Sequence, residues 1–234
     1  MPTARSIREF WNAKAQEDAY WFVSSFGTYG HKRNLEDFWA SGERIWSEIK
    51  GLIGYKPAPS ARVVDIGCGV GRLTRAIAPE VGHVDALDVS EEMLEIAKKA
   101  DLANVEWRLA DGFTLGPLPD NCADLVLAYC VFQHLPSQEA LETYLREMVR
   151  VAKPKGLIAF TLSPRTWATY LLPVLRVRAY LRERLGFAGP RGVYRKEYVG
   201  IRPSASRVHR ISPVPLKCSV LMGDKLLFFG PVGT

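Results

Sequence analysis

Apolar and polar positions along this chain follow two periods in alternation. Short runs rich in β-branched and aliphatic residues recur at Arg62–Ile66, His83–Leu87, Val105–Leu109, Asp124–Tyr129 and Leu157–Leu162, and each predicts a buried strand. Between them the apolar residues fall at helical spacing. A helix is expected over 71–78. A second starts behind Ser90, a natural N-cap with Glu91 and Glu92 in the first turn, and carries Met93, Leu94, Ile96 and Ala97 on its inner face. A third runs over 138–152, with Leu141, Tyr144, Leu145, Met148 and Val149 on one side, and is stopped by Lys153-Pro154-Lys155-Gly156. Strands that alternate with helices predict an α/β fold with a parallel, doubly wound sheet. Leu216–Leu221 and Lys225–Phe229, joined by Gly223-Asp224, predict a terminal hairpin.

Two stretches lie outside this alternation. Residues 1–60 are dense in aromatics, among them Phe10, Trp11, Tyr20, Trp21, Phe22 and Trp46. Around Glu36 to Lys50 helical spacing lets Trp39, Trp46 and Ile49 share an inner face. The segment is read as a helical cap that packs on the domain or forms a lid over a pocket, and Gly51 to Ser60 is the boundary loop. The main domain then spans 61–234, with an insertion at about 163–203. Inside that insertion Trp167 to Leu185 reads as a helix broken at Pro173, and a short helix is expected over 204–211.

The candidate chemistry sits where strand 1 ends. Asp65-Ile66-Gly67-Cys68-Gly69-Val70-Gly71 is a buried strand running into a glycine turn at a helix start. Glycine permits positive φ and close approach of a ligand to the backbone. A dinucleotide site wants G-x-G-x-x-G, but the sixth position here is Arg72 and the third glycine comes early, at Gly71. The pattern D-x-G-x-G-x-G resembles motif I of the class I S-adenosylmethionine-dependent methyltransferases.

That resemblance implies a seven-stranded, mostly parallel Rossmann-like sheet ending in an antiparallel hairpin, with strand 7 between strands 5 and 6. It implies S-adenosyl-L-methionine as cofactor and S-adenosyl-L-homocysteine as product. Asp65, Gly67, Cys68, Gly69 and Gly71 would cradle the amino-acid end. Asp88, at the end of strand 2, would accept hydrogen bonds from both ribose hydroxyls, with Val89 and Met93 beside it. Asp111, Gly112 and Phe113 after strand 3 resemble the adenine contact, although an Asp-Gly turn is also ordinary chemistry at a strand end. Tyr129 to Pro136 resembles the loop that borders methyl donor and acceptor. His134 in that loop is the candidate general base, with a structural imidazole as the alternative. The resemblance supplies no metal site. The [N/D]-P-P-[Y/F] element of base-methylating relatives is absent after strand 4, which disfavours nucleic acid as the acceptor.

Charge and compartment refine this picture. The net charge is +6 over 234 residues. Arg165, Arg176, Arg178, Arg182, Arg184, Arg191, Arg195 and Lys196 crowd one segment, and a solvated face, an anionic substrate, a lipid surface or nucleic acid would each suit it. The resemblance implies that the 163–203 insertion is a substrate cap, and arginines flanking apolar residues there suit a hydrophobic acceptor with an anionic group; a helix capping the sheet edge is the alternative. Cys68, Cys122, Cys130 and Cys218 have no paired spacing and read as reduced thiols. Met1 to Phe10 lacks an apolar leader core, and no run approaches membrane-spanning length, so a cytoplasmic protein is expected. The function expected is transfer of a methyl group to a small molecule, O-methylation being favoured and N or C open. A methyltransferase-like binding protein without turnover, or an NAD-linked enzyme, are the alternatives; Arg72 speaks against the second.

Overall fold

The computed structural model of the chain describes residues 3–24, 34–164, 172–187, 189–193, 195–221 and 225–233. Seven strands form one sheet in the order β3-β2-β1-β4-β5-β7-β6. They are β1 (Arg62–Ile66), β2 (His83–Asp88), β3 (Val105–Leu109), β4 (Ala123–Ala128), β5 (Ala152–Leu162), β6 (Lys217–Leu221) and β7 (Lys225–Pro231). The first five run parallel, and β7 lies antiparallel between β5 and β6. The expected placement of the last strand is therefore observed; the hairpin turn Gly223-Asp224 lies outside the described residues.

Period-two alternation explains why both faces of the sheet are covered. Val64, Val126, Ile158, Phe160 and Phe228 face one apolar layer, where they meet Leu141, Leu145 and Met148 of α5 (Gln138–Val151). Val63, Leu125, Leu127 and Leu227 face the other, against Trp46 and Ile49 of α2 (Leu35–Ile53) and Ile77 of α3 (Thr74–Ile77). Phe160 is fully buried between Phe132 and Phe228, and truncating such a residue costs about 3–5 kcal/mol. At α2 the Asn34 side chain accepts from the Glu36 amide, and Gly54 closes the other end at φ 68°.

Two local expectations are corrected. The helix expected from Gly71 begins at Thr74, because the positive φ of Gly71 holds the chain in turns to that point. Strand 5 starts at Ala152, not Leu157: Lys153–Gly156 bulge between the pairs Ala123–Ala152 and Leu125–Leu157, and the Lys155 amide donates to the Val232 carbonyl at 2.7 Å. Pro173 lies in the first turn of α6 (Leu172–Arg184), where its missing N–H costs no hydrogen bond. Trp167 and the rest of 165–171 lie outside the described residues. The expected short helix is α8 (Ala205–Ile211), capped by Ser204.

Candidate active site

The order of the sheet reverses between β1 and β4, and crevices form at such a switch point beyond the carboxyl ends of the strands. A cleft of about 280 Å³ opens there. The glycine loop forms one side. Gly67, Gly69 and Gly71 have φ of 68°, 56° and 81°, a region that side-chain-bearing residues adopt only at a cost. Sterics fix the glycines independently. A Cβ on Gly67 would lie 2.3 Å from Val131 Cγ2, one on Gly69 2.8 Å from Val23 Cγ2, and one on Gly71 2.8 Å from Trp107. The first two contacts bring cleft walls against the loop, and the third seats the loop on β3. The Gly67 and Cys68 amides both donate to the Leu87 carbonyl, at 2.7 and 3.0 Å.

Two buried carboxylates face the cleft. Asp65 Oδ2 accepts from the Thr74 hydroxyl at 2.6 Å. Burial pushes its pKa up to about 7, the Thr74 bond opposes the shift, and nearby Asp88 adds to it. Asp88 accepts from the Gly69 amide on Oδ2 and the Ser90 amide on Oδ1, each at 2.8 Å. Burial pushes Asp88 up to about 6 against the pull of the Ser90, Gly69 and Val89 amides. A carboxylate offers roughly four lone-pair positions, so Asp88 keeps capacity for hydroxyl donors beside these amides. Ser90 also caps α4 (Glu91–Ala97), accepting from the Met93 amide at 3.2 Å, while its hydroxyl bonds Asn12 Oδ1 at 2.7 Å.

The opposite wall is the loop after β4. The Cys130 amide donates to Thr161 Oγ1 at 2.7 Å, with Cys130 itself at φ 62°. The His134 ring is held at both nitrogens. Nδ1 contacts the Tyr198 carbonyl at 2.5 Å, so it carries the proton, and Nε2 lies 3.1 Å from Gln133 Nε2, from which it accepts. Gln133 Oε1 in turn accepts from Ser163 Oγ at 2.5 Å and Lys225 Nζ at 3.4 Å. Burial pushes the His134 pKa down to about 4; the Tyr198 carbonyl works against this, and Arg202 and Lys225 reinforce it. His134 is therefore neutral near pH 7.

The N-terminal helices cover this crevice. In α1 (Ala4–Ser24) the backbone leaves helical geometry at Asp18, whose Oδ1 accepts from the Trp21 amide at 3.0 Å and so restarts the helix. Trp11, Phe22 and Val23 of α1 line the cleft. Arg72, which takes the place of a dinucleotide-binding glycine, is buried and turned toward these helices. Its guanidinium donates to Ser41 Oγ at 3.2 Å and the Val23 carbonyl at 3.3 Å, and lies 5.8 Å from the Tyr129 ring centre.

Of the candidate residues, Asp65, Gly67, Cys68, Gly69, Asp88, Val89, Met93, Tyr129 and His134 all line one cleft. Gly71 packs outside it, beneath the loop. Asp111, Gly112 and Phe113 are not among its walls; Ala110, Thr114 and Leu115 take those positions. Asp111 is exposed, and its carboxylate accepts from the Phe113 and Thr114 amides at 2.7 Å and the Thr114 hydroxyl at 2.6 Å. Its slight burial pushes the pKa up, but the Thr114 and Phe113 donors outweigh that and hold it low. Sequence reasoning did not single out Trp11, Arg72, Gln133 or Lys225 as wall residues. Trp11 was marked by the aromatic density and Gln133 by its place in the 129–136 loop; Lys225 carried no local signal, because a distant segment brings it to the cleft.

Comparison with known proteins agrees with this geometry. Residues 64–160 match a family described as a methyltransferase domain. The chain is 28% identical over 205 residues to a glycine/sarcosine/dimethylglycine N-methyltransferase of Actinopolyspora halophila, covering 82% of this chain and 34% of that protein. It is 33% identical over 155 residues to a malonyl-[acyl-carrier protein] O-methyltransferase of Pectobacterium atrosepticum, covering 64% of this chain and 54% of that one. The chain thus spans a third to about half the length of these curated relatives. The fold matches the magnesium protoporphyrin IX methyltransferase of Synechocystis PCC 6803 with bound SAH, at a TM-score of 0.62 and 20% identity over 97% of this chain and 98% of that one. Residues 64–160 are thus a methyltransferase domain, set in a sheet with the topology of the class I S-adenosylmethionine-dependent methyltransferases.

Proposed function

We propose that this chain is an S-adenosylmethionine-dependent methyltransferase that methylates a small molecule, on oxygen in the favoured reading. The observation that carries it is the convergence of Asp65, the glycine loop and Asp88 on one cleft at the topological switch point. The residues fit the cofactor. Asp65 is a buried acid whose ionisation a cationic ammonium would favour, Asp88 has acceptor capacity for two hydroxyls, and Met93 and Leu115 offer apolar contact to a flat ring. When bound, S-adenosylmethionine supplies an electrophilic sulfonium methyl group.

The chain's own part is orientation and exclusion of water. Trp11, Phe22 and Val23 close one side, and Val131, Gln133 and His134 the other, so an acceptor is confined beside the glycine loop. His134 presents neutral Nε2 to the wall and can receive a proton from an acidic hydroxyl if Gln133 yields. The lysine on that wall, Lys225, gives an anionic group of the acceptor a partner. The O-methyltransferase named above accords with an oxygen nucleophile, and the N-methyltransferase keeps nitrogen as the second reading.

The test is methyl transfer from isotopically labelled cofactor to a panel of hydroxylated, amino and carboxylated aromatic and aliphatic compounds, read by mass spectrometry. Turnover of acidic hydroxyl compounds, with Lys225→Met raising KM at least about tenfold for anionic acceptors and not for neutral ones, is the expected result. Transfer confined to amines, or equal effects of Lys225→Met on both classes, would overturn the acceptor assignment.

A further inference from the structure

Apolar exposure in this molecule is concentrated in one place. Among the described residues the large apolar side chains left exposed are Leu35, Leu109 and Val220, plus a cluster running from Val174 to Phe187. That cluster belongs to α6 and the turn after it. Val174, Val177, Leu181 and Leu185 follow one another at spacings of three, four and four, which a 3.6-residue period stacks on one face. They are 65%, 59%, 50% and 72% exposed. Arg178 and Arg184, both exposed, fall on the two flanks of this stripe. The single acid of the helix, Glu183, accepts from the Gly192 amide at 2.7 Å.

An apolar stripe bordered by arginines is costly in water and suits a phospholipid interface. There the aliphatic residues enter the acyl boundary, and the guanidinium groups remain among the phosphates. A protein partner of neutral or basic surface would leave Arg178 and Arg184 facing no opposite charge. No helix among the described residues is long and apolar enough to cross a membrane, so any contact of this kind is peripheral.

From these observations we infer that α6 is a membrane-docking element that lays its Val174–Val177–Leu181–Leu185 face on an anionic lipid bilayer. The contact is independent of the proposed reaction, but its location relates to the cleft. The segment after α6 is fastened to α1. The Arg191 amide donates to Glu17 Oε1 at 2.9 Å, and its carbonyl accepts from Lys14. Tyr198 in α7 (Lys196–Val199) lies against Trp11, Phe22 and His134. A docked α6 therefore holds the covering side of the cleft beside the bilayer, where an acceptor with an apolar body and an anionic group would partition.

The experiment is co-sedimentation of the full chain with vesicles of phosphatidylglycerol and phosphatidylcholine in equal parts, and with vesicles of phosphatidylcholine alone. Three proteins are compared: wild type, Leu181→Asp/Leu185→Asp and Arg178→Glu/Arg184→Glu. Circular dichroism melting and cofactor titration establish that each variant is folded. The wild type is expected to bind the anionic vesicles and to be released by salt. The leucine variant should lose binding. The arginine variant should bind at least about 25-fold more weakly, at about fivefold for each charge near the surface. Equal sedimentation with both vesicle types, none with either, or unchanged binding by folded variants would overturn the inference. So would a wild-type dimer that the leucine variant dissolves, since a second copy would then cover this face. Loss of vesicle binding with intact cofactor titration separates a failure here from a failure of the methyltransferase reading.

Discussion

The Gly69 amide donates to the Asp88 carboxylate at 2.8 Å. The loop after β1 and the end of β2 are therefore held as one unit, although nineteen positions separate the two residues. The same carboxylate receives the Ser90 amide at the head of α4. One acid thus fixes the glycine loop and the start of a helix while facing the cleft. A change that disturbs either partner is transmitted to the shape of the site.

The conformation of Gly67 gives a first prediction. Gly67→Ala must place a Cβ 2.3 Å from Val131 Cγ2 at φ 68°. Backbone strain of roughly 1–2 kcal/mol adds to the clash, for an expected loss of at least about 2 kcal/mol. Removing the opposing methyls in Gly67→Ala/Val131→Ala relieves the clash but not the strain. Denaturant melts should show partial recovery in the double variant; full recovery would mean the backbone is not constrained.

The raised pKa of Asp65 gives a second. The unfolded carboxyl loses its proton near 3.8, whereas the folded one keeps it until about 7. Between those values the native state binds more protons, so Asp65 makes stability fall as pH rises. Asp65→Asn should weaken that decline in melting temperature between pH 4 and 7. Ligand binding reports the same group. A ligand ammonium beside Asp65 at pH 7 should drive ionisation and release up to about half a proton. Calorimetry in buffers of differing ionisation enthalpy measures it, and a buffer-independent enthalpy would contradict the assignment.

His134 titrates in the opposite sense. Its folded pKa is pushed down to about 4 from an ordinary 6.5, so the unfolded imidazole takes a proton that the native one refuses. Stability is expected to fall as pH drops from about 6.5 toward 4, and His134→Gln should flatten that decline. The pH profile of kcat/KM should show no inflection near 6.5 from this ring. An inflection there that disappears in His134→Gln would show an ordinary surface-like imidazole.

The strands were legible because their apolar runs are uninterrupted and bounded by turn residues, and Asp65 and Asp88 were legible because strand ends and glycines mark them. Other parts were illegible for identifiable reasons. Asp111 stands at a strand end as Asp88 does, yet it lies outside the cleft lining and accepts from Phe113 and Thr114, a difference that sequence spacing does not show. Arg72 was read only as a missing glycine, because its partners Val23 and Ser41 lie far back in the chain. Gln133 and Lys225 meet only after β7 pairs with β5. The apolar residues of α6 were read as suiting a hydrophobic acceptor, and helical periodicity alone does not say what such a stripe faces.

The most direct test of the central claim is calorimetric titration of the folded, ligand-free chain with S-adenosylmethionine and S-adenosylhomocysteine, repeated on Asp88→Ala. The wild type should bind both. Asp88→Ala should bind each at least about tenfold more weakly, as expected when hydrogen bonds to a charged acceptor are lost. A wild-type protein that binds neither ligand, or an Asp88→Ala variant with undiminished affinity, would contradict the account.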